Sequence, residues 1–388
     1  MKITGSKRLS QLGSAIFSEV AAWKREVINQ GVDVIDLGIG SPDLPPSDAI
    51  LKAMVEAVSD TSLYGYPSSE GSLEFRQTAA HWYHHRFGVE LNPVKEILTL
   101  MGSQDGLAHL AMALCDPGDV VIVPDPGYPI YEASLVLAGV ESYKVPLRSE
   151  NNYLPNLLEI PKETLARAKF MLLNYPSNPL SAVADRAFFE EWVAFAKEHQ
   201  LLLVHDLAYS EMAFDGYRPL SLLEVNGAKD VAVEFHSLSK SFSMAGCRIA
   251  FLVGNSEVVG ALQKLKSNID YGVFQAIQRA GIAAMEEDMH NDHTVAIVYE
   301  RRRNAFIAAL HDAGWEIAPP KATMFIWARI PEGWTSRQIS REILYNAGVV
   351  IIPGDAFGAE GEGYVRIAMV QEEARLLEAA KRIGAFLS

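Results

Sequence analysis

The 388-residue sequence predicts an α/β protein with a large domain, whose mostly parallel sheet is sandwiched by helices, and a smaller α+β domain. Three observations predict it. Short apolar runs bounded by turn residues recur through the middle of the chain. Segments of helical periodicity separate them. After residue 285 the texture changes to a long polar helix pattern and then an isolated strand-like stretch. Length points the same way, because 388 residues exceed what one ordinary hydrophobic core supports.

From the N-terminus, MKITGSKRLSQLGS is basic but has no apolar h-region, and no later stretch reads as a spanning helix, so a cytoplasmic protein is expected. The segment before Pro45 is assigned to the smaller domain, giving 47–285 as the large domain and 1–46 with 286–388 as the small one. The apolar runs EILTL (96–100), DVVIVP (119–124), KFMLLN (169–174), LLLVHD (201–206), VAVEFHS (231–237) and RIAFLVG (248–254) read as strands buried on both faces. Residues 103–115 and 184–200 have helical spacing. Beyond residue 285, the run EEDMHNDHTVAIVYERRRNAFIAALHDAG reads as one long polar helix, MFIWARI as a strand and QEEARLLEAAKRIGAFLS as a closing amphipathic helix.

With 49% hydrophobic and 21% charged residues the chain suits a packed core rather than disorder. A formal net charge of -14 argues against non-specific attraction to nucleic acid or an anionic membrane, so neither is expected as a partner. Cys115 and Cys247 are too few for a disulfide framework or a cysteine metal site; they read as packing thiols, and no metal is expected.

Ser237-Leu238-Ser239-Lys240 carries the most chemistry. A lysine at the end of a buried strand can have its amine pKa lowered by desolvation and neighbouring cations, and so form an imine with an aldehyde cofactor. Ser237, Ser239 and Arg248 offer two hydroxyls and a guanidinium to a phosphate. An exposed turn with one extended lysine fits the four residues equally well. Asp206 ends another predicted strand, where ligands bind in open α/β sheets and a carboxylate can keep a pyridine nitrogen protonated; a helix N-cap is as good a reading of it alone. Tyr209 and Asn178 can reach the ring's phenolate oxygen, or serve as a core tyrosine and an Asn-Pro turn. Ser103 and Gln104 open a helix whose N-terminal amides suit a phosphate, against the commoner plain strand-to-helix turn. Tyr128, on a Pro/Gly turn, offers a face to stack on the ring or anchors its loop. Arg366 lies in an apolar run and needs a partner, either a substrate carboxylate or an internal acid.

In this order and at these spacings, the segments resemble the fold-type I pyridoxal 5'-phosphate (PLP) aminotransferases over nearly the whole chain. The resemblance implies Lys240 as the Schiff-base lysine, Asp206 as the pyridine-nitrogen partner, and Asn178 and Tyr209 at the phenolate oxygen. It implies a phosphate cup of Ser103, Gln104, Ser237, Ser239 and Arg248, Tyr128 as the stacking ring, Gly40 of LGIGSPD as a backbone contact to substrate and Arg366 as the α-carboxylate clamp. Tyr66, in YGYPSSEG, matches a tyrosine that reaches the neighbouring subunit's phosphate, which implies a homodimer with shared active sites.

The nearest pattern is that of LL-diaminopimelate aminotransferases, in segments such as DLGIGSPDLPPS, DPGYPIYEASL, HDLAYSEMAFDGY and EFHSLSKSFSMAGCR. Three positions depart from it: the usual NPTG reads NPLS, Cys247 stands where Trp is frequent, and Gln104 where a lysine is common. The implied reaction is ping-pong transamination between amino-acid and 2-oxo-acid substrates, with 2-oxoglutarate as acceptor and LL-diaminopimelate, aspartate, alanine or aromatic amino acids as donors. A β-lyase or decarboxylase on the same scaffold, or a non-catalytic PLP-binding regulator, are the other readings.

Overall fold

The computed structural model of the chain describes residues 4–12, 15–290 and 294–387. Its strands are β1 (Ile35–Asp36), β2 (Ile97–Leu100), β3 (Val120–Asp125), β4 (Glu141–Pro146), β5 (Ala168–Leu173), β6 (Leu202–Asp206), β7 (Ala232–Ser237), β8 (Ala250–Gly254), β9 (Phe325–Arg329), β10 (Val349–Val350), β11 (Ile352–Pro353) and β12 (Tyr364–Ala368). Seven form a sheet in the order β2-β8-β7-β6-β5-β3-β4. Only β8 runs antiparallel to its neighbours; the other pairs are parallel. The expected α/β class and mostly parallel sheet are what the chain adopts.

All six apolar runs become strands of this sheet, because both faces are covered. Ile122, Met171, Leu173 and Leu203 face a core shared with helices Leu73–Phe87, Arg186–His199 and Gln275–Asp288. Val121, Phe170, Leu172 and Val204 face a second core under helices Ser103–Leu114, Ile130–Ala138 and Ser256–Lys266. Each such side chain contributes about 1.5–3 kcal/mol of burial free energy. The seventh strand, β4, escaped the sequence reading because it is an edge: Glu141, Ser142 and Lys144 are exposed and only Val145 is fully buried. Charged edge residues of this kind deter strand addition and erase the apolar run.

The remaining strands make a three-stranded antiparallel sheet, β11-β12-β9, and a parallel pair, β1-β10. Ile35 and Leu37 share a core with Ile326, Ile343 and Ile367. Helices Thr294–Asp312, Ser336–Ala347 and Glu373–Leu387 contribute to that core. The single long helix expected after residue 285 is a misreading. Residues up to Asp288 end the helix Gln275–Asp288, and Thr294–Asp312 is a separate helix, with 291–293 outside the described residues. Tertiary bonds explain the division: Glu287 accepts a hydrogen bond from Ser47 and Asp288 accepts one from Trp82 Nε1, tying these acids to the large-sheet side. Among the described residues no helix is long and apolar enough to cross a membrane.

Beneath the carboxyl end of the sheet lies a buried polar cluster that periodicity could not reveal. Glu234 on β7 accepts hydrogen bonds from His205 Nδ1 (2.7 Å), His236 Nε2 (2.9 Å), the Leu222 amide (2.8 Å) and the Tyr83 hydroxyl. Burial alone would raise its pKa, but the two imidazoles reverse this and hold the carboxyl well below its usual range. Removing one partner of such a cluster leaves the others buried and unmatched. Glu234→Ala is therefore expected to destabilise the protein by about 3–5 kcal/mol, read as a lowered denaturant midpoint.

Candidate active site

Strands β5, β6 and β7 deliver Asn174, Asp206 and Ser237 to one edge of the sheet, and the helix Ser103–Leu114 starts beside them after β2. A cleft of ≈ 780 Å³ opens there, bounded on its other side by residues of the β1, β10, β11 and β12 region. The structure brings together in this cleft every residue nominated from the sequence except Tyr66.

Asp206 is buried, and a turn rather than a helix follows it, so the N-cap alternative falls away. Its Oδ2 accepts from the Tyr131 hydroxyl at 2.8 Å, while Oδ1 is buried with no partner among the described residues. Burial raises its pKa, and the Tyr131 bond and the positive potential of His205 and His236 pull the other way. A buried carboxylate oxygen facing a cleft without a donor is suited to a protonated ring nitrogen. Asn174 Nδ2 donates to the Asp206 carbonyl at 2.6 Å, and its Oδ1 accepts from the Asn178 amide at 2.8 Å. One asparagine thus holds the ends of β5 and β6 and the start of the NPLS segment together.

Lys240 follows β7 in a short helix, Leu238–Ser241, and its Nζ donates to the Gly40 carbonyl. Desolvation, then the nearby Arg366 and Arg248 charges, lower its pKa to about 8, with Asp206 opposing. The exposed-turn alternative for this lysine does not hold.

The helix Ser103–Leu114 begins at Gly102, which is in a left-handed conformation (φ 81°) and supplies no side-chain cap. A Cβ on Gly102 would run into the Arg248 guanidinium, so only glycine lets that arginine approach the helix start. Ser237 Oγ accepts from the Ser239 amide at 3.2 Å, and Ser239 Oγ is buried without a partner among the described residues. An uncapped helix N-terminus, an unmatched hydroxyl and a guanidinium form a site for a phosphate dianion. Tyr128 stands beside them, edge-on to Tyr131 at 5.8 Å and within 3.4 Å of Gln104 Oε1.

Arg366 on β12 is held on two sides. Nη1 donates to Asn178 Oδ1 (3.1 Å) and Nη2 to the Gly38 carbonyl (2.7 Å), while Nε has no partner among the described residues. Its guanidinium lies between the rings of Phe325 (4.3 Å) and Phe357 (4.7 Å). Among the described residues no carboxylate pairs with it, which removes the internal-salt-bridge reading. Tyr209 is buried, with its ring edge-on to Phe325 at 5.9 Å, and burial raises its pKa.

Tyr66 is elsewhere, 87% exposed, its ring 4.8 Å from that of Tyr271. Sequence reasoning missed Tyr131, Asn174, Phe325 and Phe357. For Tyr131 a signal existed, since Tyr128 and Tyr131 are one helical turn apart in GYPIY.

Comparison with known proteins accords with this geometry. The family model "Aminotransferase class I and II" matches residues 32–383. LL-diaminopimelate aminotransferase 2 of Trichormus variabilis is 46% identical over 379 residues, covering 97% of each chain. LL-diaminopimelate aminotransferase of Syntrophobacter fumaroxidans is 46% identical over 383 residues, covering 99% of each. Among solved structures, substrate-bound BacF from Bacillus subtilis superposes with a TM-score of 0.94 at 39% identity, over 99% of this chain and 98% of that one. A probable N-succinyldiaminopimelate aminotransferase from Thermus thermophilus gives 0.91 at 40% identity, over 96% and 100%. With a matching model over most of its length and relatives this similar, the chain belongs to the class I and II aminotransferase family.

Proposed function

We propose that the cleft holds pyridoxal 5'-phosphate on Lys240 and transfers the amino group of an amino acid, LL-diaminopimelate first among the candidates, to 2-oxoglutarate. The observation that carries this reading is the convergence of a lysine of lowered pKa, an unmatched Asp206 Oδ1 and an uncapped helix start beside Arg248 in one cleft. Bound there, PLP supplies an aldehyde to the amino group and a ring that accepts the electron pair left when the substrate's Cα loses its proton. Lys240 Nζ, whose pKa is lowered to about 8, takes and returns that proton in its neutral form. Asp206 holds a proton on the ring nitrogen, and Tyr209 and Asn178 flank the phenolate side. Ser103, Gln104, Ser237, Ser239 and Arg248 hold the phosphate, and Tyr128 covers the ring. Arg366 offers its unmatched Nε to the substrate carboxylate, and Gly40 lines the path of the substrate.

The choice of donor draws on a charged pair that also lines the cleft. Lys24 and Asp36 face it as a pair 2.5 Å apart, and a second amino-acid terminus would meet one charge of each sign. The curated relatives named as LL-diaminopimelate aminotransferases support that choice. The neighbouring wall of Phe17, Val20, Ala21, Val350, Ile352 and Phe357 favours a second reading, donors with apolar side chains. Adding LL-diaminopimelate, glutamate, aspartate, alanine and aromatic amino acids separately to the PLP-loaded protein, and following the cofactor band, decides between them. Conversion by glutamate and LL-diaminopimelate alone is expected. Fast conversion by aromatic donors with none by LL-diaminopimelate would instead make the apolar wall the determinant.

The exposed Tyr66–Tyr271 pair supports a homodimer in which each copy lends Tyr66 to its partner's phosphate site. The cores on the two sheets support a division close to 47–285 and the flanking segments, with the helix Gln275–Asp288 carrying the large domain three residues past 285 and Ala208, Tyr209, Met212 and Phe214 packing in the small-sheet core.

A further inference from the structure

Two non-glycine residues with positive φ meet across the boundary between the large sheet and the small one. Ser181, the last residue of NPLS, has φ 55°, and Thr323, just before β9, has φ 73°. This region disfavours any side chain and most of all a β-branched one. Both are buried, and their hydroxyls lie 2.8 Å apart.

The protons in this contact are assigned by counting. Ser181 Oγ also lies 2.8 Å from the Phe325 carbonyl, which can only accept, so the serine's one proton goes there. The Thr323 hydroxyl must then donate to Ser181 Oγ, while its own oxygen accepts from the Phe325 amide at 3.1 Å. The Thr323 amide donates to the Met212 carbonyl at 2.7 Å, and the Ser181 amide to the Ser177 carbonyl at 2.9 Å. Ser181 is thereby fixed to its own segment and Thr323 to Met212, as well as each to the other.

What the contact joins is the seat of Arg366. On the Ser181 side, three residues back, Asn178 accepts from Arg366 Nη1. On the Thr323 side, two residues on, the Phe325 ring lies under the guanidinium and within 3.0 Å of where a Cβ on Gly40 would stand. The two supports of Arg366 come from segments more than a hundred residues apart in sequence, and Ser181–Thr323 ties these segments by side chains. A glycine at 181 would relieve the backbone but could not make the tie.

We infer that Ser181 and Thr323 are positioning residues: their hydroxyl pair sets the NPLS segment against the start of β9 and so orients Arg366 for the substrate carboxylate. The inference rests on the proposed role of Arg366. Its test uses the PLP-loaded enzyme and whichever amino acid it converts fastest, measuring apparent dissociation constant and limiting rate of the half-reaction separately. Ser181→Gly and Thr323→Val are each expected to raise the dissociation constant about fivefold, the scale of one lost neutral hydrogen bond, with the limiting rate little changed. Thr323→Ser, which keeps the hydroxyl, should restore wild-type affinity. The double variant Ser181→Gly/Thr323→Val should be no weaker than Ser181→Gly alone, because the glycine already removes both hydroxyl contacts across the boundary.

A merely structural turn predicts something else: Ser181→Gly with unchanged affinity, or affinity, rate and thermal midpoint falling together. Either result overturns the inference. Arg366→Lys separates it from the reading beneath it. If that variant binds the amino acid as well as wild type, the carboxylate role fails and the inference falls with it. If it binds worse while Ser181→Gly does not, only the inference fails.

Discussion

Lys240→Ala is expected to lower kcat/KM by at least about ten-thousandfold and to abolish covalent trapping of the cofactor by borohydride, which should otherwise label Lys240 alone. The position allows no substitute. Lys266 is buried and bonded to Asp105 and Asp270, and Lys24 is paired with Asp36. Lys240 is also the lysine whose surroundings favour the neutral amine: desolvation first, then the Arg366 and Arg248 charges, bring its pKa to about 8. At pH 7 about a tenth of such an amine is neutral, roughly two-hundredfold more than for an ordinary lysine near 10.4. The sign follows, since only the neutral amine attacks an aldehyde. The rate at which cofactor-free protein takes up PLP covalently should rise about tenfold per pH unit below 8 and level off above it. A rate still climbing steeply at pH 9.5 would mean that the cleft does not depress this amine. Retention of turnover by Lys240→Ala would remove the lysine from the chemistry altogether.

Much of this fold could be read from the chain because buried parallel strands are written as unbroken apolar runs. EILTL, DVVIVP and VAVEFHS have no other economical interpretation. The exposed strand β4 has the composition of a loop and was invisible for that reason. The polar run after 285 misled because helical periodicity is local, whereas the bonds of Glu287 and Asp288 that assign its first residues to another helix are tertiary. The site follows the same rule. Lys240, Asp206 and Arg366 stood out as charges in apolar surroundings, a contrast visible in one dimension. Tyr131, Asn174, Phe325 and Phe357 act by orienting those charges, and their side chains are ordinary for a core or a turn. The NPLS departure was visible as a deviation, but its partner Thr323 lies 142 positions away and nothing local marks it.

Asp206→Asn is the sharper test of the electron-sink reading, with kcat expected to fall about a thousandfold while the fold and the phosphate end of the site survive. The amide is nearly isosteric and can still accept from Tyr131, so it removes one thing, the negative charge at the unmatched Oδ1 position. Without that charge the site loses what holds a proton on a ring nitrogen, because Asp36, which also lines the cleft, is paired with Lys24, and Arg248 and Arg366 are cationic and oppose it. Tyr131→Phe removes a single hydrogen bond to the other oxygen and leaves the charge, so its loss should be about tenfold at most. The order of the two effects matters more than their size. If Tyr131→Phe cost as much as Asp206→Asn, the carboxylate would be acting through its hydrogen bond to Tyr131, as a scaffold for the neighbouring ring. If Asp206→Asn were nearly silent, the buried carboxylate would be structural and the site would need another means of accepting electrons from the substrate carbon. The expected large gap between the two variants locates the requirement in the charge itself.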